Sequence, residues 1–374
     1  MTKEEIYIRF IPIDIDSLVV LYHLTFENIM TRQPLLSICI PTYNRAPFLK
    51  KTLESITTAE IFKNTNDVEI VISDNCSTDD TQDICSHFIQ QFPHKIHYSK
   101  TEENIGGDRN FYRVLSLARG KCLKLNNDKC SFLPHTLDTL IDIIKEHESE
   151  EYILFFPNKI KYKDEDSITC KDLTTFIDTV SYHSTWIGGF SIWKNDLEQM
   201  NTLMHATHLQ LLQTAVLYHF LASGRAIQVY NQDLFVVQQT YEILPYNPAQ
   251  VFGVNYFGLM KPYIQEQKLE PSMYEKEKHR VLFKLIRPFS IKYKLTAIQY
   301  WNDIIFLLKP LYKNNLYFYS WTVSSFIQKL LFPYSTSLHL RCKFLLHRLL
   351  KHKEKAHRYH IRLCEHKAYV KRNQ

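Results

Sequence analysis

Two short apolar runs in this chain each end in side chains able to do chemistry. Leu36 to Arg45 reads LSICIPTYNR, and Val68 to Thr81 reads VEIVISDNCSTDDT. At the first end, Pro41, Tyr43, Asn44 and Arg45 offer a ring that can stack on a planar ligand and a guanidinium that meets phosphate oxygens as a fork. At the second, Asp74 can accept hydrogen bonds from the edge of a nucleobase, with Asn75 beside it. Thr78, Asp79 and Asp80 have the composition of an Asx-turn and helix cap and are expected to serve as one. Further on, ENIGGDRN places Gly106 and Gly107, which let backbone approach a ligand, before Asp108, Arg109 and Asn110 at the start of a helix. A fourth polar end, Asn126-Asn127-Asp128-Lys129, follows KCLKL.

These residues need a scaffold that brings strand ends together. Strands are expected at Leu36 to Ile40, Val68 to Ser73, Ile96 to Ser99, through KCLKLNND, and at Tyr152 to Phe156. Helices are expected at Ala46 to Thr57, Thr78 to Phe92, Asn110 to Ala118 (stopped by Gly120) and Leu133 to His147. Strand and helix alternating over short connections predict an α/β fold with a doubly wound, mostly parallel sheet, which binds ligands beyond the carboxyl ends of its strands. Residues 203–222 read as one long amphipathic helix.

In order and spacing, PTYNR, SDNCST, ENIGGDRNF and LNND resemble the motifs of family 2 glycosyltransferases, most of all the abequosyltransferase-like O-antigen and capsule sugar transferases. The resemblance implies a GT-A fold, a nucleotide-sugar donor and a divalent cation, Mg²⁺ or Mn²⁺. It assigns Pro41, Tyr43, Asn44, Arg45, Asp74, Asn75, Gly106, Gly107, Asp108, Arg109, Asn126 and Asn127 to the donor. Relatives usually end the fourth strand in several aspartates, whereas here Asp128 is the surviving carboxylate, leaving Asn126 and Asp128 as metal ligands. A one-residue slip would pair Asn127 with Asp128 instead. Lys129 can alternatively neutralise a diphosphate, giving reduced metal dependence or an inactive relative.

On the acceptor side, Trp186 with Gly188 and Gly189 combines a stacking face with backbone that can approach hydroxyls. Inverting relatives place a Glu-Asp pair at the helix start that follows. The corresponding stretch here is His205 to Gln210, so the aligned base is His208, suited to taking a proton near neutral pH. Asp196 is the carboxylate alternative, although WKND reads as a surface turn.

Composition and charge bound the remaining readings. The chain has 374 residues and 45% hydrophobic content, enough for a sizeable core. Its eight cysteines show no paired spacing and read as reduced thiols of a cytosolic protein. Residues 1–33 read as an N-terminal extension without a secretory signal, and Met30 is an alternative start. The transferase domain is expected over 34–270 and an aromatic, basic helical region over 271–374.

Residues 341–374 hold eleven Lys or Arg against Glu354 and Glu365, a local +9 that leaves −3 for the rest of the formal +6. With no apolar run long enough to span a bilayer, this predicts a peripheral protein on the inner face of the plasma membrane, held to anionic lipid. The expected activity is inverting sugar transfer to a saccharide acceptor, lipid-linked in keeping with that location, during capsule or O-antigen synthesis. The alternatives are a catalytically inactive scaffold of the same fold and a nucleic-acid-binding protein. No recognition motif supports the latter, and no nucleic acid partner is expected.

Overall fold

The computed structural model describes residues 33–149, 151–160, 163–238, 246–286, 298–320 and 322, with the side chains of 298–304 excepted. Residues 1–32 and the basic tail 341–374 lie outside these, and so do the expectations made for them.

The central sheet is built on β1 (Leu36–Thr42) and β2 (Val68–Asp74), every residue of which is buried. Strands covered on both faces read as continuous β-branched runs, which is why they were legible. With β3 (Ile96–Lys100), β4 (Cys122–Leu125) and β8 (Ser191–Trp193) they form a five-stranded sheet ordered β3-β2-β1-β4-β8. Four strands are parallel, and β8 runs antiparallel to β4. Thr42 is level with Asp74, and Asp74 with Lys100, so the carboxyl ends of β1, β2 and β3 open on one edge.

Helices α1 (Ala46–Thr57), α2 (Glu60–Asn64), α3 (Thr81–Gln91) and α4 (Gly107–Leu117) alternate with these strands. α3 begins later than expected because Thr78 is tied back to Asn44 and Asp79 takes the Thr81 amide instead. Two smaller sheets flank the central one, β6 (Ile153–Phe155) with β9 (Ile227–Tyr230) and β7 (Ser167–Cys170), and β5 (Cys130–Phe132) with β10 (Phe235–Val237).

After α5 (Thr136–Glu146), α6 (Leu173–Val180) and α7 (Leu197–Asn201), the expected helix over 203–222 is broken. A 3₁₀ turn covers Met204–Leu209, Gln210 takes φ +58°, and α8 (Leu212–Ala222) starts afresh. α8 is also not amphipathic. Nearly every residue from Leu212 to Leu221 is buried, because the 3₁₀ turns at Ser181–Thr185 and Met204–Leu209 and helix α6 all pack on it.

Next come α9 (Tyr256–Gln265) and α10 (Pro271–Arg280). α10 is fastened to α6 by Lys276 and Arg280 on Asp178, and its Glu277 accepts the Ser181 and Tyr256 hydroxyls. Burial pushes the Glu277 carboxyl up to about 7 against those bonds. The chain divides into compact units Met1–Leu295 and Thr296–Gln374, so the expected boundary at 270/271 falls inside the first. Within the second unit, α11 spans Ile298–Tyr312, and residues 316–320 are also helical. No helix among the described residues is long and apolar enough to cross a membrane.

Candidate active site

The carboxyl edge is held together by its own polar side chains. The turn after β1 reaches the turn after β2: Asn44 N–H donates to Ser77 Oγ at 2.8 Å, Thr78 N–H to Asn44 Oδ1 at 2.7 Å, and Ala46 N–H to Asp79 Oδ2 at 2.9 Å. These bonds hold Asn44 at φ +50° and leave Tyr43 44% exposed, with a ring of the kind that stacks on a planar ligand. Pro41 is buried in β1.

Asp74 and Asn75 shape this cradle from beneath. Asp74 is fully buried, accepting from Ser77 N–H at 2.8 Å and Tyr98 Oη at 2.7 Å. Asn75, also buried, donates to Asn104 Oδ1 and accepts from Ile105 N–H, both at 2.8 Å. It thereby fixes the loop in front of α4. Gly106 takes φ +85°, which no side chain adopts readily, and Gly107 and Arg109 are exposed beside it. Asn110 clamps α4 to β2 through Ser73, and Asp108 is buried on Leu212 N–H at 2.9 Å.

Behind the cradle lies the end of β4. Asp128 is buried; its Oδ2 accepts from Thr42 Oγ1 at 3.0 Å, its Oδ1 lies 3.3 Å from Arg45 Nη1, and its carbonyl accepts from Thr52 Oγ1. Burial raises the Asp128 carboxyl, and Arg45 and Thr42 oppose that rise. Asn126 donates through Nδ2 to the carbonyls of Asn127 and Cys130, while its buried Oδ1 has no hydrogen-bond partner. Asn127 Oδ1 caps the turn by accepting from Lys129 N–H. An orphaned amide oxygen two residues before a buried carboxylate is a donor set of the kind a hard cation uses when phosphate and water supply its other ligands. No group of three or more His, Cys, Asp or Glu that could hold a metal occurs among the described residues.

In the segment expected to meet the acceptor, Trp186 packs edge-to-face on Phe235 with centroids 5.8 Å apart. Gly188 and Gly189 are buried beneath it, not open to a ligand. This differs from the expectation of backbone approaching hydroxyls, because a Cβ on Gly188 would lie 2.5 Å from the Trp186 ring and one on Gly189 2.9 Å from Phe156 O. The Gly188 carbonyl accepts from Lys124 Nζ at 2.7 Å.

Lys124 is itself wholly buried, 4.4 Å over the Phe235 ring, and desolvation lowers it to about 8. Nothing in the run KCLKL distinguishes Lys124 as a buried lysine. Gly188→Ala is expected to tilt Trp186 and weaken acceptor use about tenfold or more, by roughly 1.4 kcal/mol per decade. Nucleotide binding should not change, and titrating both ligands against the variant checks this.

His208 stands exposed on the Met204–Leu209 turn, its Nδ1 2.8 Å from His205 O. In the neutral ring Nδ1–H donates to that carbonyl, which leaves Nε2 as the basic nitrogen. Just beyond the turn, Leu212 N–H joins Asp108 of the glycine loop, and Asn255 Nδ2 donates to Leu209 O at 2.9 Å. Asp196 is not a surface residue: it is buried, paired with Arg225 and accepting from Trp193 N–H. Because Trp193 is paired with Cys122, the first residue of β4, Asp196 belongs to the opposite edge of the sheet and is no candidate base.

The site is thus a polar cradle over the carboxyl edge of a mostly parallel sheet with an antiparallel fifth strand. The profile of the family described as Glycosyl transferase family 2 matches residues 37–175. The chain is similar to abequosyltransferase RfbV of Salmonella typhimurium, 39% identical over 116 residues, which are 29% of this chain and 34% of that protein. It is also similar to the GalNAc(5)-diNAcBac-PP-undecaprenol beta-1,3-glucosyltransferase of Campylobacter jejuni, 32% identical over 109 residues, 29% of this chain and 34% of that protein. The chain therefore spans about a third of the length of these curated relatives. Among solved structures, a mannosyltransferase of Pyrobaculum calidifontis in complex with GDP-Man and Mn²⁺ aligns over 83% of this chain and 94% of its own, at 14% identity and a TM-score of 0.49.

Proposed function

We propose that the protein is an inverting glycosyltransferase that moves a sugar from a nucleotide-sugar donor to a saccharide acceptor in surface polysaccharide synthesis. The observation that carries this reading is the bonded pair of turns after β1 and β2, which present Tyr43 beside the glycine loop and Asp128 on one edge.

The base of the nucleotide stacks on Tyr43 within a cradle that Asn44, Asp74 and Asn75 hold in shape. Arg109, exposed at the amino end of α4, and Arg45 meet the diphosphate. Asp128 and Asn126 Oδ1 would hold a divalent cation, which when bound supplies charge neutralisation for the departing diphosphate. The acceptor sugar lies against Trp186. His208 Nε2 takes the proton of the acceptor hydroxyl as its oxygen bonds to the anomeric carbon, and the bond to the diphosphate breaks with inversion.

A lipid-linked acceptor is consistent with the Campylobacter relative, whose name places its substrate on undecaprenol diphosphate. It also suits the exposed Phe306 and Leu316 of the second unit, together with the basic 341–374 segment, as a means of holding the protein on the inner membrane face.

Thermal unfolding with UDP-, GDP-, CDP- and dTDP-sugars, each with Mn²⁺ and with a chelator, tests the reading. One nucleotide is expected to raise the midpoint by several degrees, since ligand at about 100 times its Kd adds about 2.7 kcal/mol. The shift should be larger with Mn²⁺. A flat response to all four defeats the proposal.

A further inference from the structure

The first turn of α8 is bonded to both halves of the site. Leu212 N–H donates to Asp108 Oδ2 at 2.9 Å, and Asp108 directly follows the Gly106–Gly107 pair of the donor loop. One residue on, Gln213 Nε2 donates to Thr185 O at 2.6 Å, and Thr214 Oγ1 to Ser184 O at 3.1 Å. Ser184 and Thr185 lead directly into Trp186. Three consecutive residues of one helix thus join the glycine loop to the aromatic loop. The segment immediately before them carries His208, anchored at its end by Asn255 on Leu209 O.

Asp108 is poorly placed for the nucleotide contact that motif position suggested. It is 7% exposed, and the amides of Leu212 and Leu211 are the donors that work against its burial. A carboxylate turned onto the amino end of another helix, 104 residues away in sequence, is satisfied by that helix.

We propose that Asp108 is a positioning residue that couples the donor loop to the acceptor side, so that a nucleotide seated against Gly106 and Gly107 fixes the 204–214 segment and the His208 it carries. The inference rests on the transferase reading for the identity of the ligand. Closing of the glycine loop around a diphosphate moves or immobilises Asp108, and the Leu212 bond passes that restraint to α8.

Amide hydrogen exchange on the full chain, with and without saturating UDP, GDP, CDP or dTDP, tests this. In the wild type, the nucleotide that binds is expected to slow exchange at 105–107 and also at 204–214, the latter at least fivefold. In Asp108→Ala the slowing at 105–107 persists and the Kd stays within about threefold, but the 204–214 response disappears. Asp108→Asn, which keeps an oxygen for Leu212 N–H, restores it.

A response confined to 105–107 in the wild type overturns the coupling, and so does a 204–214 response that survives in Asp108→Ala. A tenfold loss of affinity in Asp108→Ala makes the residue a nucleotide contact instead. Should Asp108→Ala not fold, the wild type and Asp108→Asn still decide. Failure of the wild type to bind any of the four nucleotides would count against the transferase reading itself, whereas binding without the distant response counts only against Asp108.

Discussion

Asp128→Asn should lower transfer by two to three orders of magnitude while the protein stays folded. Asn keeps an oxygen for Thr42 Oγ1 and matches the volume, so the bond that fastens β1 to the end of β4 survives. What is lost is the negative charge facing Arg45 at 3.3 Å, and with it the carboxylate proposed to hold a divalent cation. Removing one preorganised group that stabilises developing charge costs roughly 10²–10³ in kcat, about 3–4 kcal/mol.

Stability should respond little to the same change, because burial already disfavours the charged carboxylate and Arg45 is partly solvated. Initial rates of donor turnover measured beside a thermal melt separate the two effects. Activity within threefold of wild type would remove Asp128 from the machinery. Arg45→Gln supplies the complement. Equal losses in both single variants, with no further loss in the double variant, would show that the pair acts as a unit.

The sequence exposed those parts of the site whose chemistry is local. Strands buried on both faces leave unbroken β-branched runs, and the residues that end them must be turn formers, so β1, β2 and their polar ends were readable together. The glycine pair was readable for the same reason, since φ +85° at Gly106 leaves its mark on composition. Interactions that join distant segments left no such trace. Asp108 meets Leu212 across 104 residues and Lys124 meets Gly188 across 64, and neither partner has a distinctive residue type because the acceptors and donors are backbone.

The break at Gln210 was hidden in the same way. Leu203, Leu209, Leu211 and Leu212 keep an apolar pattern through it, and only packing against α4 and α6 decides that the chain reverses into a left-handed residue there. Asp196 was misjudged because WKND has turn composition, while its ion pair is with Arg225, 29 residues further along the chain.

At the opposite edge of the sheet, Glu69→Gln is expected to destabilise the protein by about 2 kcal/mol at pH 7 without altering nucleotide binding. Glu69 is 1% exposed. Its Oε1 accepts from Ser37 Oγ at 2.6 Å and Arg119 N–H at 2.7 Å, and its Oε2 from Arg119 Nε at 3.0 Å. His97 Nε2 lies 3.4 Å from Oε2 and 2.7 Å from Arg119 Nη2, so it donates to Glu69 when protonated and accepts from Arg119 when neutral. Burial alone would raise this carboxyl, but the bonds from His97, Ser37 and Arg119 outweigh it and hold the group at about 2, against 4.5 for the free side chain.

A carboxyl lowered on folding contributes stability that is complete above pH 4.5 and is lost as the pH falls toward 2. A displacement of that size corresponds to roughly 3 kcal/mol at most, and the exposure of Arg119 trims it. Urea unfolding of wild type and variant at pH 7, 4.5 and 3.5 should therefore show a gap that narrows below pH 4.5. Because Ser37 and Glu69 are paired near the start of β1 and β2, five register positions before Thr42 and Asp74, nucleotide affinity of the folded variant should match wild type. A gap independent of pH would mean that the lost packing, not the charge, accounts for the clamp.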